Sequence, residues 1–258
     1  MILKLLIALL LIGLDGSVQA SDNLREQNYA ASIEHNPLIG KIVWLNAGEQ
    51  KFLSLFTEAE KSKNQNAVII LHEAGEYPDQ KPLVHWLRIL LPQHNWATLA
   101  LQMPLRENAS SAADYYPLFT EAQNRIKAAI EYLKANGAVN IALIGYGLGA
   151  LMATNAVNDH PDNIGAIATV SLSVPVTDNP QLQTLAFIKN IGLPFLDVYA
   201  EFDLAEVVDS ARQRRMAGKD NPVYRQVRLI GENHAIQEDH EQLIKLLYSW
   251  LDTSFQPK

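Results

Sequence analysis

The 258-residue sequence contains no cysteine. This excludes disulfides, thiolate metal sites, iron–sulfur clusters and a cysteine nucleophile, and it leaves stability to packing. No block of Lys or Arg interrupts a balance of 21 basic and 28 acidic residues, net −7 at pH 7. The phosphate-neutralising footprint required for nucleic-acid binding is therefore missing. Gly and Pro are sparse, 13 and 12, beside 48% hydrophobic and 19% charged residues, so neither a disordered nor a low-complexity chain fits. There is no internal repeat and no linker long enough to divide two domains. No apolar run reaches the roughly 20 residues of a membrane-spanning helix.

The first 20 residues combine Lys4, an apolar run from Leu5 to Leu14 and the small-residue ending Val18-Gln19-Ala20. These are the n-region, h-region and cleavage site of a secretory signal. The expectation is a signal peptide over residues 1–20 cut after Ala20, a periplasmic or secreted mature protein, and no integral membrane span after cleavage. With no cysteine near the cut, a lipoprotein signal is excluded. Residues 21–40 lack periodicity and read as an irregular N-terminal arm, followed by a single domain over 41–258.

Within that domain, Lys41–Leu45 and Lys51–Thr57 form a hairpin pattern around Asn46-Ala47-Gly48-Glu49. Ala67–Leu71 is continuously apolar, as a strand buried on both faces of a parallel sheet must be. Strand and helix patterns then alternate, with strands at Ala97–Gln102, Val139–Ile144, Ala166–Val174, Pro194–Tyr199 and Tyr224–Leu229. Helical patterns cover Lys81–His94, Tyr116–Ala135, Leu148–Asn158, Ala205–Met216 and Glu238–Leu251, with weaker potential at Gln181–Lys189. This predicts an α/β fold: a mostly parallel sheet with antiparallel N-terminal strands and helices on both faces.

Ligands of open α/β sheets gather beyond the carboxyl ends of the strands. One such turn, Gly145-Tyr146-Gly147-Leu148-Gly149, has the small flanking residues of a nucleophile elbow. Asp203 and His234 each follow a later strand, in the order elbow, acid, base. From about Val43 to Leu251 the chain resembles the α/β-hydrolase superfamily. Its segments Val68–Asp79 and Trp96–Pro104, with the elbow, look like a family of exported bacterial α/β-hydrolase-like proteins of undefined function.

By that resemblance, the backbone N–H of Leu148 and one from Glu73 or Ala74 form an oxyanion hole, and Asp203 orients His234. His72 braces the loop, with Glu73 standing where the superfamily's His-Gly motif has glycine. His72 and Tyr146 are expected beside the pocket. The nucleophile position is Gly147, which carries no attacking atom, so serine acyl transfer is disfavoured. Three readings follow: a non-catalytic or impaired binding or accessory protein of the bacterial envelope, water activation by His234 and Asp203, or a displaced nucleophile such as Ser171, Ser173 or Tyr146. The ligand is unnamed, either a small molecule or an envelope protein.

No metal or organic cofactor is expected: His72-Glu73 lacks the second His of a zinc helix, and the elbow lacks the Lys-Ser/Thr of a phosphate loop. Ser171 and Ser173 read as hydroxyls bonded within the sheet. His85 and Trp86 read as packing or helix-surface residues. Asp79, Glu201 and Glu232 read as solvated loop carboxylates, and Arg212, Arg214 and Arg215 as a solvated helix face. The polar stretch Leu105–Tyr116 reads as a mobile loop over the site.

Overall fold

A computed structural model describes residues 21–36, 38–61, 65–159 and 163–256. The signal peptide expected over residues 1–20 lies outside the described residues. One eight-stranded sheet runs through the domain in the order β1-β2-β4-β3-β5-β6-β7-β8. Strands β1 (Lys41–Ala47) and β2 (Gln50–Thr57) form the antiparallel hairpin, and β2 pairs antiparallel to β4 (Ala97–Leu101). The remaining pairings, through β3 (Asn66–Leu71), β5 (Asn140–Tyr146), β6 (Ala166–Val170), β7 (Phe195–Phe202) and β8 (Tyr224–Asn233), are parallel. This is the mixed sheet that the alternation predicts.

Helices cover both faces. On one, α3 (Phe119–Ala135), α4 (Leu148–Asp159) and α5 (Thr184–Asn190) enclose Ile69, Leu71, Leu99, Leu143 and Ile167. On the other, α1 (Asn23–Glu34), α2 (Leu83–Leu90) and α7 (His240–Ser254) cover Val68, Ile70, Ala142, Ile144, Leu196 and Val198. The alternation of side chains along β3 divides its residues between these two cores, which is why its sequence is apolar from Ala67 to Leu71. α6 (Ala205–Ala217) joins β7 to β8. Among the described residues, no helix is long and apolar enough to cross a membrane.

Several expectations are corrected. Residues 23–34 form a helix instead of an irregular arm, started by Asp22, whose side chain accepts a hydrogen bond from Arg25 N at 3.0 Å. Its anchors are polar: Glu26 is buried against Arg125 at 2.9 Å and accepts from Leu105 N at 3.2 Å. A hydrophobic pattern search passes over such a helix. Within 105–116, Ala112 begins a 3-10 turn to Leu118, capped by reciprocal bonds between Ser111 and Asp114.

Arg214 does not belong to a solvated face. It is fully buried, with Nε 2.8 Å from Asp197 on β7. Asp79 pairs with Arg88 and with His85 Nδ1 at 2.8 Å, and Glu232 is buried where it accepts from Asp239 N. Each of these partners is remote in sequence or on another element, so residue type alone suggested solvent.

Candidate active site

The carboxyl ends of β3, β5, β6, β7 and β8 bring together Glu73, Gly147, Ser171, Asp203 and His234. The elbow follows directly from its glycines. A Cβ at Gly145 would lie 2.6 Å from Ala150 Cα, and one at Gly149 would lie 2.6 Å from His72 O, so α4 can start this close to β3 and β5 only with glycine at both positions. Gly147 has φ +53°, in the left-handed region, and its N–H donates to Val170 O at 2.9 Å. Any other residue there carries a strain of about 1–2 kcal/mol.

The acid and base are in contact. His234 Nδ1 lies 2.6 Å from Asp203 Oδ1. Asp203 also accepts from Ser171 Oγ at 2.6 Å, Ala200 N at 3.0 Å and Leu204 N at 2.9 Å. Burial opposes its charge, but these hydrogen bonds, led by that of His234, overcome the penalty and hold the carboxyl below its ordinary range. Ser171 is thus bonded to the acid and not within the sheet. β6 ends at Val170, and Ser171 turns out at φ +58°. Ser173 lines the cavity.

The nucleophile side is rebuilt. The carboxylate of Glu73 fills the space that a side chain at 147 would occupy: a Cβ on Gly147 would fall within bonding distance of Glu73 Oε2. Glu73 Oε1 accepts from Ala74 N at 2.5 Å and Leu148 N at 2.8 Å. Two of the oxyanion-hole candidates therefore converge as donors, and the oxygen they hold belongs to the third candidate's side chain. The N–H of Glu73 turns away to Glu76 Oε2 at 3.2 Å. Glu73 Oε2 lies 3.4 Å from His234 Nε2, so the imidazole stands between two carboxylates. Burial works against its charge, yet the hydrogen bonds and charges of Asp203 and Glu73 prevail and push its pKa up to about 9. Burial, reinforced by the charge of Glu73, raises Glu76 to about 7.

His72 and Tyr146 do not line the cavity. His72 is buried beneath the loop, with Nδ1 2.7 Å from Glu73 O, while Nε2 accepts from Met103 N at 2.9 Å. Burial lowers its pKa to about 4, so it is neutral, and its Nδ1–H braces the loop. Tyr146 lies under His234, its ring 5.2 Å away and its OH donating to His234 O at 3.1 Å. Burial drives the phenol far above its ordinary pKa. Both side chains are buried in these contacts, and neither borders the cavity.

The cavity above these residues measures about 250 Å³ and is bordered by Leu148, Leu151, Leu204 and Val207 beside Glu73 and His234. The loop is strapped from behind by α1: Arg25 Nη2 donates to Gly75 O at 2.8 Å and Tyr29 OH to the same oxygen at 3.0 Å. Among the described residues, no group of three or more His, Asp or Glu is placed to hold a metal ion. Sequence reasoning assigned Glu73 only a backbone role. The signal for its side chain was a pair of departures from the hydrolase pattern, an acid where glycine is expected at 73 and glycine where serine is expected at 147, which the fold places against each other.

Solved structures with the same fold include Est1E from Butyrivibrio proteoclasticus, at 14% identity and TM-score 0.66, covering 83% of this chain and 98% of that one. The Pyrococcus furiosus esterase Pf2001 aligns at 13% identity and TM-score 0.67, covering 84% and 98%. A dienelactone hydrolase from Anabaena variabilis aligns at 16% identity and TM-score 0.66, covering 83% and 96%. The fold is thus the α/β-hydrolase fold. No curated protein matches the sequence. The family described as "Protein of unknown function (DUF3530)" matches residues 18–118 and 118–253, and the chain belongs to that family.

Proposed function

We propose that this protein is an exported α/β-hydrolase-fold protein of the bacterial envelope whose degenerate triad carries out no serine-type acyl transfer and whose site holds a ligand in a binding or accessory role. The observation that carries this reading is the Glu73 carboxylate, seated on the Ala74 and Leu148 N–H groups in the space left by Gly147. An ester substrate would find neither a hydroxyl at the elbow nor a free oxyanion hole. Direct water activation is opposed by the same contact, since His234 faces Glu73 and holds its proton at neutral pH. Of the displaced nucleophiles considered, Ser171 is committed to Asp203 and Tyr146 to His234 O.

The test is a panel of short-acyl esters and thioesters offered to the wild type, His234→Ala and the double variant Glu73→Gly/Gly147→Ser. A silent wild type with an active double variant is expected. Wild-type ester turnover that disappears in His234→Ala would overturn the reading and establish an ester hydrolase. Export is tested by the mass of the protein recovered from the cell envelope, which should correspond to a chain beginning at Ser21.

A further inference from the structure

We propose that Glu73 is itself a nucleophile, moved from the elbow to the oxyanion loop, and that the ligand class it captures is a small epoxide. Oxygen Oε2 stands at about the place of a serine hydroxyl at 147, within bonding distance of the missing Cβ and 3.4 Å from His234 Nε2. Oxygen Oε1 already rests on the two backbone donors that an oxyanion needs. A carboxylate that attacks an ester carbonyl forms an anhydride, more reactive than the ester it came from. Attack on a saturated ring carbon forms an ordinary ester, so this nucleophile suits a strained alkyl electrophile. The small cavity, with Leu148, Leu151, Leu204 and Val207 along its wall, suits a compact and mainly apolar molecule.

The steps balance. Oε2 bonds to a ring carbon as the ring C–O bond breaks, and the ring oxygen keeps the electron pair and takes the His234 proton, relayed through water at the mouth. Alkylation removes the Glu73 charge, one of the two that hold this proton on the imidazole, so the base is freed when it is needed. Neutral His234, oriented by Asp203, then takes a proton from water as the water oxygen bonds to Glu73 Cδ. The resulting oxyanion is Oε1, already held by Ala74 N and Leu148 N. Collapse breaks Cδ–Oε2, and the diol leaves with Oε2 and the imidazolium proton. The new carboxylic acid returns its own proton to His234. The sum is epoxide plus water giving a vicinal diol, with the water oxygen left in Glu73.

This inference rests on the reading above in that Glu73 fills the nucleophile's place and serine-type acyl transfer is absent, and it departs from that reading in making the bound ligand a substrate. The two fail separately, because ester turnover by the wild type overturns the first and epoxide chemistry decides the second. The experiment exposes purified protein to 1,2-epoxybutane. In His234→Gln the ring oxygen takes its first-step proton from water at the mouth, with buffer absorbing the hydroxide, so the first step should be slowed and the second blocked, and after long exposure peptide mapping should find the hydroxybutyl ester on Glu73. In a single turnover in heavy-oxygen water, wild-type Glu73 should gain one heavy oxygen while the diol gains none. Glu73→Gln should lose both the adduct and the diol. The absence of any ester on Glu73 in His234→Gln, heavy oxygen appearing in the first-turnover diol, or undiminished diol from Glu73→Gln would each overturn the proposal.

Discussion

The two halves of the site differ in how far they depart from the arrangement expected of a hydrolase. At the ends of β7 and β8, Asp203 and His234 are in contact at 2.6 Å, and the acid is fully furnished with donors. At the ends of β3 and β5, the elbow residue is glycine, and a carboxylate from the facing loop occupies both the space of a side chain there and the two backbone donors. The altered half is not a ruin. An acid at 73 fits only because 147 has no side chain, and glycine at 147 leaves no void because the acid fills it. Two positions 74 residues apart are sterically coupled, so neither is interpretable alone.

That coupling can be broken most visibly by exchanging both positions. Gly147→Ser alone should gain no ester hydrolysis, since its Cβ meets the Glu73 carboxylate and the oxyanion hole stays filled. Adding Glu73→Gly clears both, and p-nitrophenyl acetate turnover should rise by at least about 100-fold over either single variant, about 3 kcal/mol of transition-state stabilisation. If the single serine variant proves as active as the double, the carboxylate is not an obstruction and the two halves are independent.

The stability of the same variants sharpens the point. Gly147→Ser should cost about 2 kcal/mol, from the positive φ and the displaced carboxylate. Glu73→Gly should give back roughly 1 kcal/mol of this, a non-additivity that denaturant titration of all four proteins would measure.

How much of this was legible in the sequence follows the range of each signal. The buried strands β3 to β7 announced themselves as local apolar runs; Asp203 could be placed because it sits one step beyond β7, and His234 because it follows the last strand pattern, β8. Helix α1 was not legible: it is held by Glu26, Arg25 and Tyr29 through contacts to residues 75, 105, 106 and 125, with Ala30 and Ile33 as its buried apolar residues. Arg214 was misread for the same reason, its partner Asp197 lying on a different element. The Glu73 side chain was missed because residue-by-residue comparison treats 73 and 147 as separate departures, and what links them is a distance.

The pH dependence separates the halves by charge. His234 has a raised pKa in the folded protein, so its contribution to stability is complete below about 6.5 and is lost as pH rises through about 9. Glu76, a carboxyl raised to about 7, also favours the fold in its protonated form, and its contribution disappears as pH rises from about 4.5 through 7. The thermal midpoint should therefore fall steadily between pH 5 and pH 9, the two groups together losing at most several kcal/mol of stability over that window. In an NMR titration, Glu73→Gln should lower the His234 pKa by about one unit and Asp203→Asn should lower it further, since the Asp203 bond is the shorter one. An unchanged His234 in Glu73→Gln would mean that the carboxylate is not seated against the imidazole in solution.

The smallest effect is expected behind the loop. Arg25 is the strap that ties α1 to both Gly75 O and Arg106 O, at 2.8 and 2.7 Å, while Tyr29 holds the Gly75 oxygen in parallel. Arg25→Ala removes two charge-assisted bonds but leaves the tyrosine bond, and the exposed carbonyls can turn to water, so the global loss should be only about 1 kcal/mol. The local consequence should be larger than the global one. Gly75 holds φ +75° in the turn that presents Ala74 N to Glu73, and loosening it lets that donor drift. Hydrogen exchange at Ala74 and Leu148 reads this directly: faster exchange at Ala74 with Leu148 unchanged would show that α1 positions only the loop side of the oxyanion hole, whereas equal acceleration at both would mean that Glu73 leaves the two donors together and that the strap governs occupancy of the whole site.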